Sequence, residues 1–171
     1  MSSEKEDRIA ELFAELRLEQ EAVEAFDAAA AELLGINPTD LRCLGILDRR
    51  GRLAATELAR EAGLTTGATT ALIDRLEAAG YVKRVRDERD RRRVYVTLTG
   101  AARQAIAAIW GPLGQEGMEV AERYSAEELA LIVEYLRTSR EVLRRHLDRL
   151  RSMQRARLDA GSPPRAGGSP P

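Results

Sequence analysis

The N-terminal part of the chain carries an apolar stripe with the spacing of a helix. Between residues 6 and 35, large apolar side chains recur at intervals of three and four residues, beginning with Ile9, Leu12 and Leu16. That spacing places them on one face of a helix, and Gly35 can readily end it. The pattern therefore predicts one long amphipathic helix over this region.

Three shorter helices are predicted between residues 37 and 80. Asn37 and Pro38 suit the N-cap and the first position of the first of them, and Thr56 is a candidate cap for the second. Thr65 is expected to cap the third. In that third helix the spacing predicts a buried side at Ala68, Leu72 and Leu76 and an exposed face at Thr66, Thr70, Ile73 and Glu77.

The next segment has the composition of two strands around a charged loop. The stretches YVKRV and RVYVTL are rich in β-branched residues, and the eight residues from Arg86 to Arg93 are all charged. A run of charges is usually a solvated loop. Because a hairpin is the simplest connection between strands so close in sequence, we predict that these charges form its tip.

The C-terminal part predicts two more helices and a tail. The fifth helix begins at Thr99, and Gly111-Pro112 is expected to bend or end it because proline lacks a backbone N–H. The sixth begins at Ser125, which has the spacing of a capping box with Glu128. Its leucines lie seven residues apart and predict a seam for a partner helix. Residues 154–171 are predicted to be a disordered tail.

Charge is segregated along the chain, although the net charge is only −1. Residues 1–35 contain ten acids and three bases, whereas residues 81–103 contain eight bases and three acids. This separation favours one basic face that meets a polyanion. The single cysteine, the acidic N-terminus without a signal pattern and the absence of a long apolar run lead us to expect a cytoplasmic protein.

The order of the predicted elements is that of a winged helix-turn-helix. A helix start offers unpaired backbone N–H groups and the positive end of the helix dipole, and both suit phosphate. The stretches NPTDLRCLGIL and ATELAREAGLTTGATTALIDRLEAAGYVKRVRDERDRRRVYVTLT closely resemble the MarR family of winged-helix transcriptional regulators. The most specific parts are LIDRLEAAGYVKR and the Asp-x-x-Asp-Arg-Arg motif of residues 87–92.

This resemblance implies a fold that is mainly α with a small β-hairpin. It assigns residues 37–98 to a winged helix-turn-helix DNA-binding domain and residues 6–35 and 99–153 to a helical dimerisation region. It further implies a homodimer on a pseudo-palindromic operator, released by a small-molecule effector. We expect no cofactor and no metal. Trp110 is a candidate pocket wall, although a core or interface position is the simpler interpretation. Dimer contacts are expected at Leu12, Leu16, Leu129, Leu136, Leu143 and Leu150.

The resemblance also implies which residues meet DNA. Ala71 departs from the family, where arginine is frequent, so base reading must rely on other residues. The recognition-helix residues are then Thr65, Thr66, Gly67, Thr69, Thr70 and Arg75. The wing residues are Arg89, Arg91, Arg92 and Arg93, with Arg92 matching the arginine that enters the minor groove. The acids expected to support the wing are Asp74, Asp87 and Asp90.

Other interpretations stay open at this point. Cys43 could sense oxidants, but it shares a helix face with Leu47 and is more simply a small core residue. His146 has no neighbouring ligand residues, so a metal site is disfavoured. A helical adaptor that binds protein through the leucine seam is the alternative function. An enzyme is disfavoured, because no nucleophile and base stand at a suitable spacing.

Overall fold

The fold is mainly helical with one small sheet, as predicted. The computed structural model describes residues 2–90 and 92–161. In these residues the elements follow one another as α1 (Ser2–Leu34), α2 (Pro38–Arg50), β1 (Arg52–Ala54), α3 (Ala55–Ala62), α4 (Thr66–Ala78), β2 (Val82–Arg86), β3 (Val94–Leu98), α5 (Gly100–Ala121) and α6 (Ala126–Gly161).

The predicted helix caps are mostly confirmed. The Asn37 side chain accepts the Asp40 N–H at 2.9 Å at the start of α2, and Thr65 Oγ1 accepts the Ala68 N–H at 3.3 Å at the start of α4. The prediction for Thr56 is wrong, because α3 begins after Ala54. The N-cap residue is Ala54, and its N–H donates to Glu57 Oε2 at 2.9 Å.

The sheet has three antiparallel strands in the order β1-β3-β2. The predicted hairpin corresponds to β2 and β3, with Val82 opposite Leu98 and Arg86 opposite Val94. Strand β1 was not predicted, since its three residues are too short to show a period. Its pairing makes β3 the central strand, and Thr97 Oγ1 donates to Gly51 O at 2.8 Å to hold the loop before β1.

The main core lies where α2, α3 and α4 pack on the sheet. Leu44, Leu58, Leu76 and Val96 are each at most 2% exposed there. Cys43 belongs to the same cluster and is fully buried, and burial raises the pKa of its thiol. This supports the interpretation of Cys43 as a core residue, because a buried protonated thiol is a poor nucleophile.

The last two helices differ in extent from the predictions. Pro112 lies inside α5 and does not end it. The capping box of α6 is confirmed, since Ser125 N–H donates to Glu128 and Glu128 N–H donates to Ser125. Helix α6 includes residues 154–161, which were assigned to the tail, and residues 162–171 lie outside the described residues.

The chain divides into two compact units, Met1–Gly114 and Gln115–Pro171. The first contains α1 to α4, the sheet and the start of α5, and the second contains the rest of α5 and α6. Within the described residues, none of the helices is long and apolar enough to cross a membrane.

Candidate nucleic-acid interface

The start of α4 is an exposed, mostly hydroxyl-bearing surface. Thr65, Thr66, Gly67 and Thr70 are all exposed, and the amides of the first turn lie outside the helical bonding pattern. The Thr70 hydroxyl donates to Thr66 O at 3.0 Å, so it has a partner within the helix. Thr65 Oγ1 occupies the Ala68 N–H, and the small side chains together with the other amides of the first turn allow a phosphate backbone to approach closely.

Two residues of α4 are buried against the prediction, Thr69 as a DNA contact and Ile73 as part of the exposed face. Thr69 is 1% exposed, and its hydroxyl donates to Thr65 O at 2.9 Å, so it cannot contact DNA. Ile73 is also 1% exposed and belongs to the core. Ala68, expected on the buried side, is exposed. The buried face of α4 therefore contains Thr69, Leu72, Ile73 and Leu76.

Arg75 is held by an ion pair with Asp40 of α2. Its Nη2 donates to Asp40 Oδ1 at 2.8 Å, and its Nε donates to Asp40 Oδ2 at 3.4 Å. Asp40 is almost fully buried, while about half of the Arg75 side chain is exposed. The contact joins α4 to α2 and leaves part of the guanidinium open for a phosphate contact.

Arg84 of β2 ties the hairpin to α4. Its Nη2 donates to Asp74 Oδ1 at 2.6 Å, its Nη1 donates to Glu77 Oε2, and its backbone N–H donates to Glu77 Oε1 at 3.1 Å. These contacts, led by the bond to Asp74, hold the pKa of Arg84 above its usual value. We call Asp74, Glu77 and Arg84 the wing clamp. Sequence reasoning proposed Asp74 as wing support and missed the other two.

Asp87 organises the turn between β2 and β3. Its Oδ1 accepts the N–H groups of Arg89 at 2.9 Å and Asp90 at 3.0 Å. These two bonds, the one from Asp90 first, hold the pKa of the Asp87 carboxyl below its usual range. Asp90 binds the next part of the turn in the same way, since its Oδ1 accepts the Arg92 N–H at 3.1 Å. Both acids thus bind mainly backbone in the turn.

The described wing arginines are exposed. Arg89 and Arg92 form no ion pair in the described residues, whereas Arg93 Nε lies 3.5 Å from Asp90 Oδ2. Arg91 lies outside the described residues. Because the acids are engaged by backbone amides, the charges of Arg89 and Arg92 remain available at the hairpin tip.

The base of the wing contains a further contact that the sequence did not reveal. Arg52 of β1 lies over the ring of Tyr95, 4.7 Å from its centroid, and its Nη2 is 3.6 Å from Asp87 Oδ2. A guanidinium above an aromatic face is attracted by the ring electrons. This contact links the unpredicted strand β1 to the turn.

A cavity of about 830 Å³ lies between α1, α2 and α5 in the first unit. Trp110 of α5 lines it and packs edge-to-face on Phe26 at 5.8 Å between ring centroids. Charged side chains of both signs share the wall. In the described residues no group of three or more His, Cys, Asp or Glu side chains could hold a metal ion. The charged lining residues are Glu24, Asp27, Arg42, Asp48 and Arg49.

Four of the six residues predicted to form dimer contacts are exposed in the single chain, and the other two are half-buried. Leu136, Leu143 and Leu150 of α6 are 48%, 68% and 62% exposed, and Leu129 is half-buried. On α1, Leu12 is 40% exposed and Leu16 is half-buried. Apolar side chains aligned in this way along a helix are typical of an interaction surface.

Known proteins with sequences similar to this chain are transcriptional regulators. A family model described as "MarR family" matches residues 34–93. The uncharacterized HTH-type transcriptional regulator YcgE of Bacillus subtilis is 41% identical over 126 residues, which are 74% of this chain and 82% of the relative.

Solved structures share the fold. A MarR family protein from Bacillus stearothermophilus is 28% identical, with a TM-score of 0.61, and the match covers 81% of this chain and 96% of that one. NadR in complex with 4-hydroxyphenylacetate is 24% identical, with a TM-score of 0.55, and the match covers 72% and 87% of the two chains. At that identity the likeness to NadR concerns the fold alone.

The wing clamp leads to a prediction for Arg84→Ala. The substitution removes the tie between hairpin and α4 and leaves two uncompensated carboxylates beside it, so affinity for DNA from upstream of its own gene should fall about tenfold. Fluorescence anisotropy measures this affinity. Lys83→Ala removes the same charge from the neighbouring exposed position and is the control. Equal losses in the two variants, at unchanged helix content, would contradict the clamp.

Proposed function

Because the chain belongs to the MarR family of transcriptional regulators and is a DNA-binding regulator, we propose that it acts as a homodimeric repressor released by a small-molecule effector. The observation that carries the proposal is the pairing of an exposed helix start on α4 with an exposed arginine hairpin clamped to the same helix. The alternative of an adaptor that does not bind DNA is set aside by this family membership.

The start of α4 is proposed to enter the major groove, and the wing the adjacent minor groove. Thr65, Thr66, Gly67 and Thr70 are exposed at the helix start, and Arg75 is half-exposed beside them. Thr69 no longer belongs to this set. In the wing, Arg92 is the proposed minor-groove residue, because a narrow groove of strong negative potential attracts an inserted arginine. Phosphate or groove contacts are proposed for Arg89, Arg91 and Arg93.

Dimerisation is proposed to use the apolar faces of α1 and α6. Exposed Phe13, Leu136 and Leu143 would each lose contact with water in a dimer. A two-fold axis would place two α4 helices about one DNA turn apart, which matches a pseudo-palindromic operator.

The effector is proposed to bind in the cavity beside Trp110. Its volume of about 830 Å³ lies in the range of small-molecule sites, and apolar, aromatic and charged groups converge on it. The complex of NadR with 4-hydroxyphenylacetate shows that one protein of similar fold binds a small aromatic molecule. An effector that favours a conformation with weak DNA affinity releases the repressor by shifting the population of states.

Arg92→Ala tests the proposed wing contact. We expect about tenfold weaker binding to the intergenic DNA, since one charged groove contact is lost, and a smaller dependence of binding on salt. Gel-shift titrations at two salt concentrations give both quantities, and native mass spectrometry should still show the dimer. Arg92→Lys keeps the charge and should recover the salt dependence. Binding of Arg92→Ala at wild-type affinity is incompatible with the assigned role.

Gly67→Ala is expected to change the stability of the protein and its affinity for DNA in opposite directions. A Cβ built at Gly67 meets nothing within 4 Å, so alanine fits the folded chain. Alanine should raise the free energy of unfolding by about 0.4–1 kcal/mol. DNA affinity should nevertheless fall, because the methyl group would stand between the backbone and the groove. Gly114→Ala, equally open in α5, is the control that should gain stability and keep DNA affinity.

Trp110 is the only tryptophan of the chain and therefore reports on the cavity. A compound that fills the cavity is expected to change Trp110 fluorescence and to weaken DNA binding in the same concentration range. Trp110→Phe keeps an aromatic wall without the signal, and in this variant DNA release should persist. A compound that alters the fluorescence at saturation while DNA affinity stays constant would argue against effector release.

A further inference from the structure

Arg42 lies on the wall of the cavity and also contacts the helix-turn-helix. Its Nη2 donates to Ala62 O at 2.6 Å, across 20 residues of sequence. Ala62 is the last residue of α3, and the chain then turns through Gly63, at φ 68°, to the Thr65 cap of α4. The bond therefore holds the C-terminal end of α3, just before the turn that leads into α4.

Helix α2 makes a second contact of this kind. Asp40, 3% exposed, accepts both bonds from Arg75 of α4. Other residues of the same helix line the cavity, among them Leu41, Leu44 and Gly45. One helix thus borders the cavity and carries hydrogen bonds both to the α3–α4 turn, through Ala62, and to the C-terminal half of α4, through Arg75.

Arg42 hydrogen-bonds a neutral group although carboxylates line the same cavity. Glu24, Asp27 and Asp48 also line the cavity, but in the part of the chain that the structure describes none of them forms an ion pair with Arg42. The guanidinium donates to a neutral carbonyl instead. A cavity occupant with an acceptor group, above all an anionic one, can therefore compete with Ala62 O for the same donor.

We propose that Arg42 couples the cavity to DNA binding by holding the turn between α3 and α4. With the bond to Ala62 formed, the start of α4 is fixed for DNA. An occupant that draws Arg42 into the cavity frees the turn and lowers the affinity for DNA. This inference rests on the proposed function and names the residue through which the effector site acts.

Arg42→Met tests the coupling, because methionine keeps the length of the exposed side chain and removes the donor. We expect DNA affinity to fall about tenfold, because the lost hydrogen bond from a charged donor stabilises only the conformation that binds DNA. Arg17→Met on α1 removes the same charge and should change affinity less than about twofold. Arg42→Lys, which retains a donor, should recover part of the loss. Urea unfolding and circular dichroism establish that all three variants are folded.

Two readouts separate this role from a merely structural one. Hydrogen exchange should quicken at the Leu64 amide, whose bond to Ala59 O at 2.9 Å closes α3, while the α1 amides keep their rates. Because Arg42 holds the turn and lines the same cavity as Trp110, we expect DNA to change the fluorescence of Trp110 in the wild type, and this response should be lost in Arg42→Met.

The outcomes distinguish the two proposals. Wild-type protein that fails to bind any nearby intergenic DNA contradicts the proposed function, and the coupling with it. Wild-type binding with equal affinity of Arg42→Met and Arg17→Met overturns the coupling alone. The coupling is also overturned if DNA leaves the Trp110 fluorescence of the wild type unchanged, or if it changes the fluorescence of Arg42→Met equally.

Discussion

The rotation of α4 about its own axis is the constraint on which the site depends. Leu72, Ile73 and Leu76 are each 1% exposed, so the core allows only one setting of this helix. That setting buries Thr69 and exposes Thr66 and the Gly67 backbone at the helix start. Burial of apolar side chains on the opposite face of α4 therefore decides which residues are available to DNA. This burial contributes more to the free energy of folding than any contact on the exposed face.

The wing follows from α4 because it is attached there by charge. The wing clamp joins two carboxylates of the helix to one guanidinium of β2, and exposed pairs of this kind contribute only about 0.2–1 kcal/mol each to stability. Their value lies in orientation, since they fix the strand that leads to the hairpin tip. Asp87 and Asp90 then bind backbone amides, which leaves Arg89 and Arg92 without carboxylate partners in the described residues.

Local patterns predicted the helices, the hairpin and most caps, because each depends on residues three or four apart. They were wrong in placing Thr69 and Ile73 outside the core, since the buried face of α4 is wider than a single stripe of leucines. Thr69 can be buried because its hydroxyl donates to a carbonyl of its own helix. Strand β1 and the partners Asp40, Arg42 and Arg84 depend on contacts distant in sequence. Spacing within one helix or strand carries no information about such contacts.

The coupling proposed for α2 can be compared with the free energy that effector release would require. A change in DNA affinity produced by an effector typically corresponds to about 1–3 kcal/mol of coupling. One hydrogen bond from a charged donor contributes about 1.5–3 kcal/mol. Because the Arg42 side chain is exposed, its bond to Ala62 O reaches at most the lower part of that range, and it ends one residue before the turn that leads into α4. In the proposed release, the second bond, from Arg75 to Asp40, would keep the remainder of α4 attached to α2. The turn would then loosen without unfolding of the core, because Leu72, Ile73 and Leu76 of α4 are buried in it.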